Sequence, residues 1–271
     1  MEWNPEWARF RTAEYLATSV LVLTDVAIVL WMPDPDPRWD GALPFDGKAS
    51  TALRAGTGPA RQRAQMWSDR IHELNFVIGL TEAPLAAGVA HGNWDVAWQL
   101  SLINAEAYAA AGFVQLLSAR LVGRVRPFLD SCREAGERGE GEDFPCKEGG
   151  RTLSFLSGHA MTSFVSAGLM CAHHGRLPLW GSGAADASAC VAMLASGTAT
   201  GVLRVVADKH YASDVVLGML LGFGFGYGIP MLFHYRSTAA PKSARAPAFV
   251  AWAPTPVIAP DRLGVAWGGI F

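Results

Sequence analysis

The chain has 271 residues, a formal net charge of -2 at pH 7 and 17% charged residues, against about a quarter in ordinary soluble proteins. Such a length allows one domain or one membrane bundle, and the slightly acidic balance excludes a nucleic-acid binder. The deficit of charge makes a lipid environment the natural reading.

Met1 to Arg11 carries both Glu and Arg, and no small-residue cleavage site follows the first apolar run, so a cleaved signal peptide is not expected. Residues 13 to 32 are long and apolar enough for a membrane helix. Asp25 within them is costly in lipid and is expected to face the bundle interior as a hydrogen-bonded structural carboxylate. Residues 33 to 70, opening on Pro33, Pro35 and Pro37, read as a polar connection containing a short amphipathic helix, with Trp39, Phe45 and Trp67 as interfacial anchors. The next two spans, 71 to 91 and 95 to 118, are interrupted by polar residues. His72 and Glu73 lack the second His of a zinc-protease helix and are expected to serve packing. Glu82 and Glu106 are expected to bond between helices or to line a polar entrance.

Residues 121 to 151 are polar, and their centre, Glu134 to Asp143, reads as a solvated loop. Arg124 and Arg126 precede the helix-stopping Pro127 and belong at the membrane boundary. Cys132 and Cys146, with thirteen residues between them, can close a disulfide in that loop, which would place it in an oxidising compartment. Cys171 and Cys190 lie in apolar stretches and read as small hydrophobes. Helices rich in Ala, Gly and Ser are expected at 153 to 172, starting at Ser157-Gly158-His159, and at 187 to 207, ending at Arg204. Between them His173-His174-Gly175-Arg176 reads as a turn, whose paired histidines lack the third ligand of a metal site.

Residues 213 to 235 are the most apolar span, and Gly218, Gly222 and Gly226 mark a helix-packing face. From Ser237 a linker leads to a tail in which Phe249 to Trp252 and Leu263 to Trp267 read either as a surface hairpin or as disorder. The fold expected is all-α: a six-transmembrane helical bundle over residues 1 to 236 with polar loops, and a short C-terminal tail over 237 to 271.

Three stretches carry chemistry. Arg204, five residues, His210, three residues, Asp214 puts a carboxylate one turn beyond the His if a helix begins near Ala212. A carboxylate gripping one ring nitrogen would fix the tautomer and free the other nitrogen to attack, with Arg204 holding an anionic substrate. Ser154-Phe155-Leu156-Ser157-Gly158-His159 supplies a hydroxyl, an approachable glycine amide and a second His at a helix start, which makes an anion site. Arg120, Arg124 and Arg126 supply three guanidiniums within seven residues, suited to bidentate oxyanion binding. A phosphate fits all three.

In this order the stretches resemble the signature of the type 2 phosphatidic acid phosphatase family, whose members also resemble bacterial acid phosphatases and vanadium haloperoxidases at the site. The family pattern is Lys, six residues, Arg-Pro; then Pro-Ser-Gly-His; then Ser-Arg, five residues, His, three residues, Asp. In this chain the Lys falls on Ala119, with Arg120 one place later; the Pro falls on Leu156, and the last Ser on Leu203. The resemblance covers roughly residues 70 to 235 and rests on the ordered set rather than on one motif.

It implies an integral membrane phosphatase that hydrolyses a lipid phosphate monoester or pyrophosphate, with no metal or other cofactor. His210 would attack phosphorus, Asp214 would steady the imidazolium, and His159 would protonate the leaving alcohol and then activate water. Arg126, Arg204, Ser157 and Gly158 would hold the phosphate oxygens, with Arg120 in the lysine's place. A vanadium haloperoxidase would share these residues, but that soluble fold does not need six apolar spans. The rival from another class is a non-catalytic membrane protein that binds phospholipid headgroups through a degenerate site. Six spans put both termini on one side and all three motifs on the other. The Cys132/Cys146 pair and the resemblance favour the extracytoplasmic face of a bacterial cytoplasmic membrane.

Overall fold

A computed structural model describes residues 1–137, 149–237, 254–259 and 262–267. The chain forms two compact units, Met1–Arg236 and Ser237–Phe271. In the second, β1 (Pro254–Ala259) pairs antiparallel with β2 (Arg262–Trp267), Ala259 opposite Arg262. Residues 249 to 252, the first of the two tail segments singled out above, lie outside the described residues.

The first unit is helical: α1 (Thr12–Trp31), α2 (Pro44–Leu53), α3 (Gly58–Leu85), α4 (Trp94–Val122), α5 (Phe128–Glu137), α6 (Gly158–Arg176), α7 (Gly183–Val206) and α8 (Ala212–Ile229). One π-helical turn, Ala86–Ala90, extends α3, and another, Pro230–His234, extends α8. Among the described residues, α1, α4, α7 and α8 with its extension are long and apolar enough to cross a bilayer. α1 shows what such a surface looks like. It packs along α4, and Leu16, Val20, Leu23 and Leu30 remain exposed on its outer side, as lipid contact requires.

α3 and α6 span comparable lengths without that composition. α6 explains why, because it packs against α3, α4, α7 and α8 at once. Its Ser163, Ser166, His173 and His174 are buried inside protein, so polarity there costs nothing against lipid. Against α8 the approach is closest. A Cβ at Gly222 would land on the Met161 carbonyl oxygen and one at Gly226 on that of Val165, while Gly168 of α6 faces the backbone of Gly226 and Tyr227. The four-residue glycine spacing is thus the packing face its sequence announced.

Several expectations change. The connection after α1 ends at Gly58 rather than near residue 70, so Trp67 belongs to α3. The start is encoded by Thr57, whose hydroxyl accepts from the Ala60 amide at 3.4 Å, and by Pro59 in the first turn. α5 occupies the first part of the stretch read as a solvated loop. His173 to Arg176 are not a turn but the last turn of α6. Cys171 and Cys190 are not lone hydrophobes: facing positions on α6 and α7 hold their Cα atoms 4.5 Å apart, within bridging reach, and they form a disulfide. Cys146, the partner expected for Cys132, lies outside the described residues.

The buried histidines of the bundle find partners across helices. His173 bonds Tyr235 at 2.7 Å and Asn104 at 2.8 Å; His174 sits between Asp186 at 2.7 Å and Glu82 at 3.0 Å; His234 bonds Glu106 at 2.9 Å. Glu82 and Glu106 are the interhelical partners they were read to be. Asp25 turns inward toward Gly112 of α4, but its Oδ1 is buried without the hydrogen-bond partner expected of it. The histidine contacts lie toward one end of the bundle. The other end gathers α2, the starts of α3, α6 and α8, and the ends of α4 and α7, and there the three sequence motifs meet.

Candidate active site

Three extended segments lace this end together. α4 stops at Gly123, whose φ of +60° is the left-handed cap that favours glycine. A Cβ there would meet the Asp36 carbonyl oxygen. Beyond it, the Val125 amide donates to the Trp39 carbonyl at 2.9 Å, the Arg126 amide to Arg151 at 2.9 Å, and the Ser154 amide to Arg124 at 3.0 Å. Two motifs 30 residues apart are thereby set side by side, with Arg126 leading into α5 and Ser154 leading to α6.

Alternation along this short run sends Arg124 and Arg126 to different places. Arg124, expected beside the phosphate, is fully buried as a structural cation instead. Its guanidinium lies between the Trp39 and Tyr211 rings, 3.9 and 4.0 Å from their centroids. It donates to Asp46 at 2.8 Å, Asp214 at 2.5 Å, Ser213 Oγ at 2.8 Å and the Gly41 carbonyl at 3.1 Å. Burial pushes the Asp46 carboxyl upward, but the bonds from Arg124, Ser213 and Leu43 outweigh it and leave Asp46 below the ordinary carboxylate range. Two carboxylates around one guanidinium satisfy a charge that would otherwise be prohibitive to bury.

That network takes Asp214 away from His210. Asp214 sits in the first turn of α8, where its carboxylate caps the Tyr211 amide at 3.2 Å and accepts from Arg124 and, at 2.6 Å, from the Ser154 hydroxyl. The imidazole nitrogen it was expected to grip is held by another group. His210 Nδ1 lies 2.7 Å from the Ser154 carbonyl oxygen. A carbonyl only accepts, so Nδ1 carries the hydrogen. Burial, and then the positive charges of Arg126 and Arg204, hold the ring well below the ordinary His value, opposed by the Ser154 bond. His210 is therefore neutral with its Nε2 lone pair unprotonated, the state a nucleophile needs. The tautomer-fixing role read for a carboxylate belongs to a backbone carbonyl, and Ser154 joins it to Asp214.

His159 stands in the first turn of α6 with its Nε2 3.0 Å from Asp69 Oδ1, and Arg204 Nη1 donates to the same oxygen at 2.8 Å. Arg126, Arg204 and His159 all lie within electrostatic reach of His210. The Ser157 hydroxyl is buried without a hydrogen-bond partner, beside the amide-rich start of α6. Gly158 lies close under Gln115, which bonds the Leu156 carbonyl and whose amide would be 3.3 Å from a Cβ there. Arg120 ion-pairs with Asp34, whose other oxygen accepts from the Gly150 amide at 3.2 Å.

The structure thus gathers His210, His159, Arg126 and Arg204, places Ser157 and Gly158 at the adjoining helix start, and sets Asp214 and Arg124 one layer behind. Sequence reasoning gave no role to Ser154, Asp46 or Asp69, while His72, read as a packing residue, packs its ring 4.4 Å from that of His159. Spacing along the chain carries no signal for contacts between helices so far apart. Two arginines beside two imidazoles repel a metal cation and suit a multiply charged anion. Elsewhere, Glu14, Glu106 and His234 bring ligand atoms within 4.8 Å of one another, but Arg11 already holds the Glu14 carboxylate.

In comparison with known families, the model of the PAP2 superfamily matches residues 100–238, slightly more than half of the chain. No curated protein and no solved structure matches.

Proposed function

From the chain's membership of the PAP2 superfamily, we propose that it is a membrane phosphatase that hydrolyses a lipid phosphate monoester or pyrophosphate through a phosphohistidine, without a metal. The observation that carries this is the neutral His210, its Nε2 unprotonated within reach of Arg126, Arg204 and His159. Nε2 attacks phosphorus in line, and the oxygen of the leaving alcohol departs with a proton from His159. Water activated by His159 then releases phosphate from His210. Arg126, Arg204, the Ser157 hydroxyl and the Gly158 amide hold the equatorial oxygens, where charge stabilisation does most of the catalytic work. Asp214 acts at one remove, by holding Ser154 so that its carbonyl receives Nδ1–H as positive charge grows on the ring.

In this reading α3 and α6 cross the bilayer with the four more apolar helices, the site faces the extracytoplasmic side, and residues 237 to 271 are a separate tail. A lipid substrate keeps its chains in the bilayer while its headgroup enters among these loops. Phosphate release from detergent-solubilised protein tests the proposal. Release that requires His210 and is blocked by vanadate, a mimic of the five-coordinate transition state, supports it. Binding of phospholipid headgroups without any release would favour the non-catalytic alternative, for which Ala119 and Leu156, in place of the family's Lys and Pro, are the argument.

A further inference from the structure

We propose that α3, which lies outside the family-matched residues, supplies a positioning residue for this reaction: Asp69, which holds the proton donor His159 and the phosphate-binding Arg204 on one carboxylate oxygen. The proposal rests on the phosphatase reading above. Oδ1 of Asp69 receives Arg204 Nη1 at 2.8 Å and lies 3.0 Å from His159 Nε2. The Asp69 and His159 side chains are 37% and 30% exposed, so the pair opens toward solvent, whereas Arg204 is 4% exposed and fixed. One turn further along α3, His72 sets its ring 4.4 Å from that of His159 at a 42° tilt, which limits how the imidazole can turn.

The chemistry explains why a carboxylate belongs there. As the bond from His210 Nε2 to phosphorus forms, the bond from phosphorus to the leaving oxygen breaks, and that oxygen takes a proton from His159, which passes from imidazolium to neutral imidazole. An anion beside the ring favours the imidazolium before the step. The charged and titratable groups around His159 are Asp69 and His72 from α3, Arg204 from α7, Arg126 ahead of α5, and His210 ahead of α8. Of these, Asp69 is the anion, and it opposes the two arginines that the phosphate requires. Because His159 and Arg204 share one oxygen, Asp69 also sets the distance between proton donor and oxyanion clamp.

The test compares kcat/KM for two substrates in Asp69→Asn: a long-chain alkyl phosphate, whose leaving alkoxide needs a proton, and nitrophenyl phosphate, whose leaving group does not. This ratio reports the steps through leaving-group departure. Asp69→Asn is expected to lose about tenfold or more on the alkyl ester and little on the nitrophenyl ester. The alkaline limb of the alkyl-ester profile should move to lower pH by about 1 unit, since removing the anion makes the imidazolium easier to deprotonate. Asp69→Glu should recover part of both effects. If Asp69→Asn does not fold, Asp69→Ser carries the same comparison. Equal losses on the two substrates would mark a merely structural residue, and wild-type values on both would leave Asp69 without a role; either overturns the proposal. A wild-type protein inert toward both would instead sink the phosphatase reading beneath it.

Discussion

Asp214 and His210 are joined through a single residue, Ser154, whose hydroxyl donates to the carboxylate at 2.6 Å while its carbonyl receives His210 Nδ1–H at 2.7 Å. The carboxylate neutralises Arg124 and pins the backbone that orients His210. Ser154→Ala and Asp214→Asn should therefore behave differently. The first removes a hydroxyl but keeps the carbonyl, and is expected to cost about 1.5–3 kcal/mol of stability, the worth of a bond to a charged group, while phosphate release persists. The second leaves Arg124 short of a counter-charge and should cost about 3–5 kcal/mol and most of the activity. Melting in detergent with initial rates decides; a Ser154→Ala protein as inactive as Asp214→Asn would mean that the hydroxyl itself serves the reaction.

A neutral His210 has a signature in pH. Its folded value lies below the unfolded value of about 6.5. Between the two, the unfolded chain binds the extra proton, so stability is intact above about pH 6.5 and is lost as pH falls below it. His210→Gln removes this term, and the melting difference between wild type and variant should shift in favour of the variant between pH 7.5 and 5. Carbon NMR of labelled histidine, with the variant for assignment, should show His210 neutral at pH 6.5. A ring half-protonated there would contradict the burial argument.

Arg120, one place from the position where the family has Lys, is held by Asp34 rather than standing clear. A one-residue shift on a helix rotates a side chain by about 100°, which the long arginine can partly undo. Arg120→Ala is expected to lower kcat/KM by about 1.5–3 kcal/mol, and adding Ala119→Lys should restore much of it. Unchanged hydrolysis in Arg120→Ala would leave this arginine as the partner of Asp34 alone.

The closeness of α6 and α8 predicts opposite responses from glycines two residues apart. Gly222→Ala drives a methyl into the Met161 carbonyl and should destabilise by about 1–3 kcal/mol through overpacking. Gly224 has nothing within 4 Å of a new Cβ, so Gly224→Ala should be neutral or stabilise by up to about 1 kcal/mol. Similar melting temperatures for the two variants would show that the helices do not meet along this face.

Thiol labelling addresses the cysteines. Cys171 and Cys190 should resist alkylation in the unfolded, unreduced protein and react after reduction, as their bond between α6 and α7 requires. The same behaviour is expected of Cys132 and Cys146 if their loop faces an oxidising space. Mass spectrometry of unreduced peptides distinguishes these pairings from any exchange between them.

What was legible in the sequence is what depends on neighbours along the chain. A 20-residue apolar run makes α1, glycines four apart make a face of α8, and Ser157-Gly158-His159 makes the start of a helix, because each is a property of one element and its period. The ordered motifs announced the phosphate chemistry for the same reason. The length of α6 was harder to read, since hydropathy assumes that every face meets lipid and those of α6 meet protein. The rest needed the tertiary structure. Asp69 and His72 reach the site from α3, about 90 residues before His159, and Asp46 reaches Ser213, next to Asp214, across 167 residues. Cys171 found Cys190 because two helices happen to face. The carboxylate one turn past His210 was free to choose between an imidazole and a buried guanidinium. It bonds Arg124, because an unpaired charge in the interior costs several kcal/mol while a neutral imidazole asks only for a carbonyl.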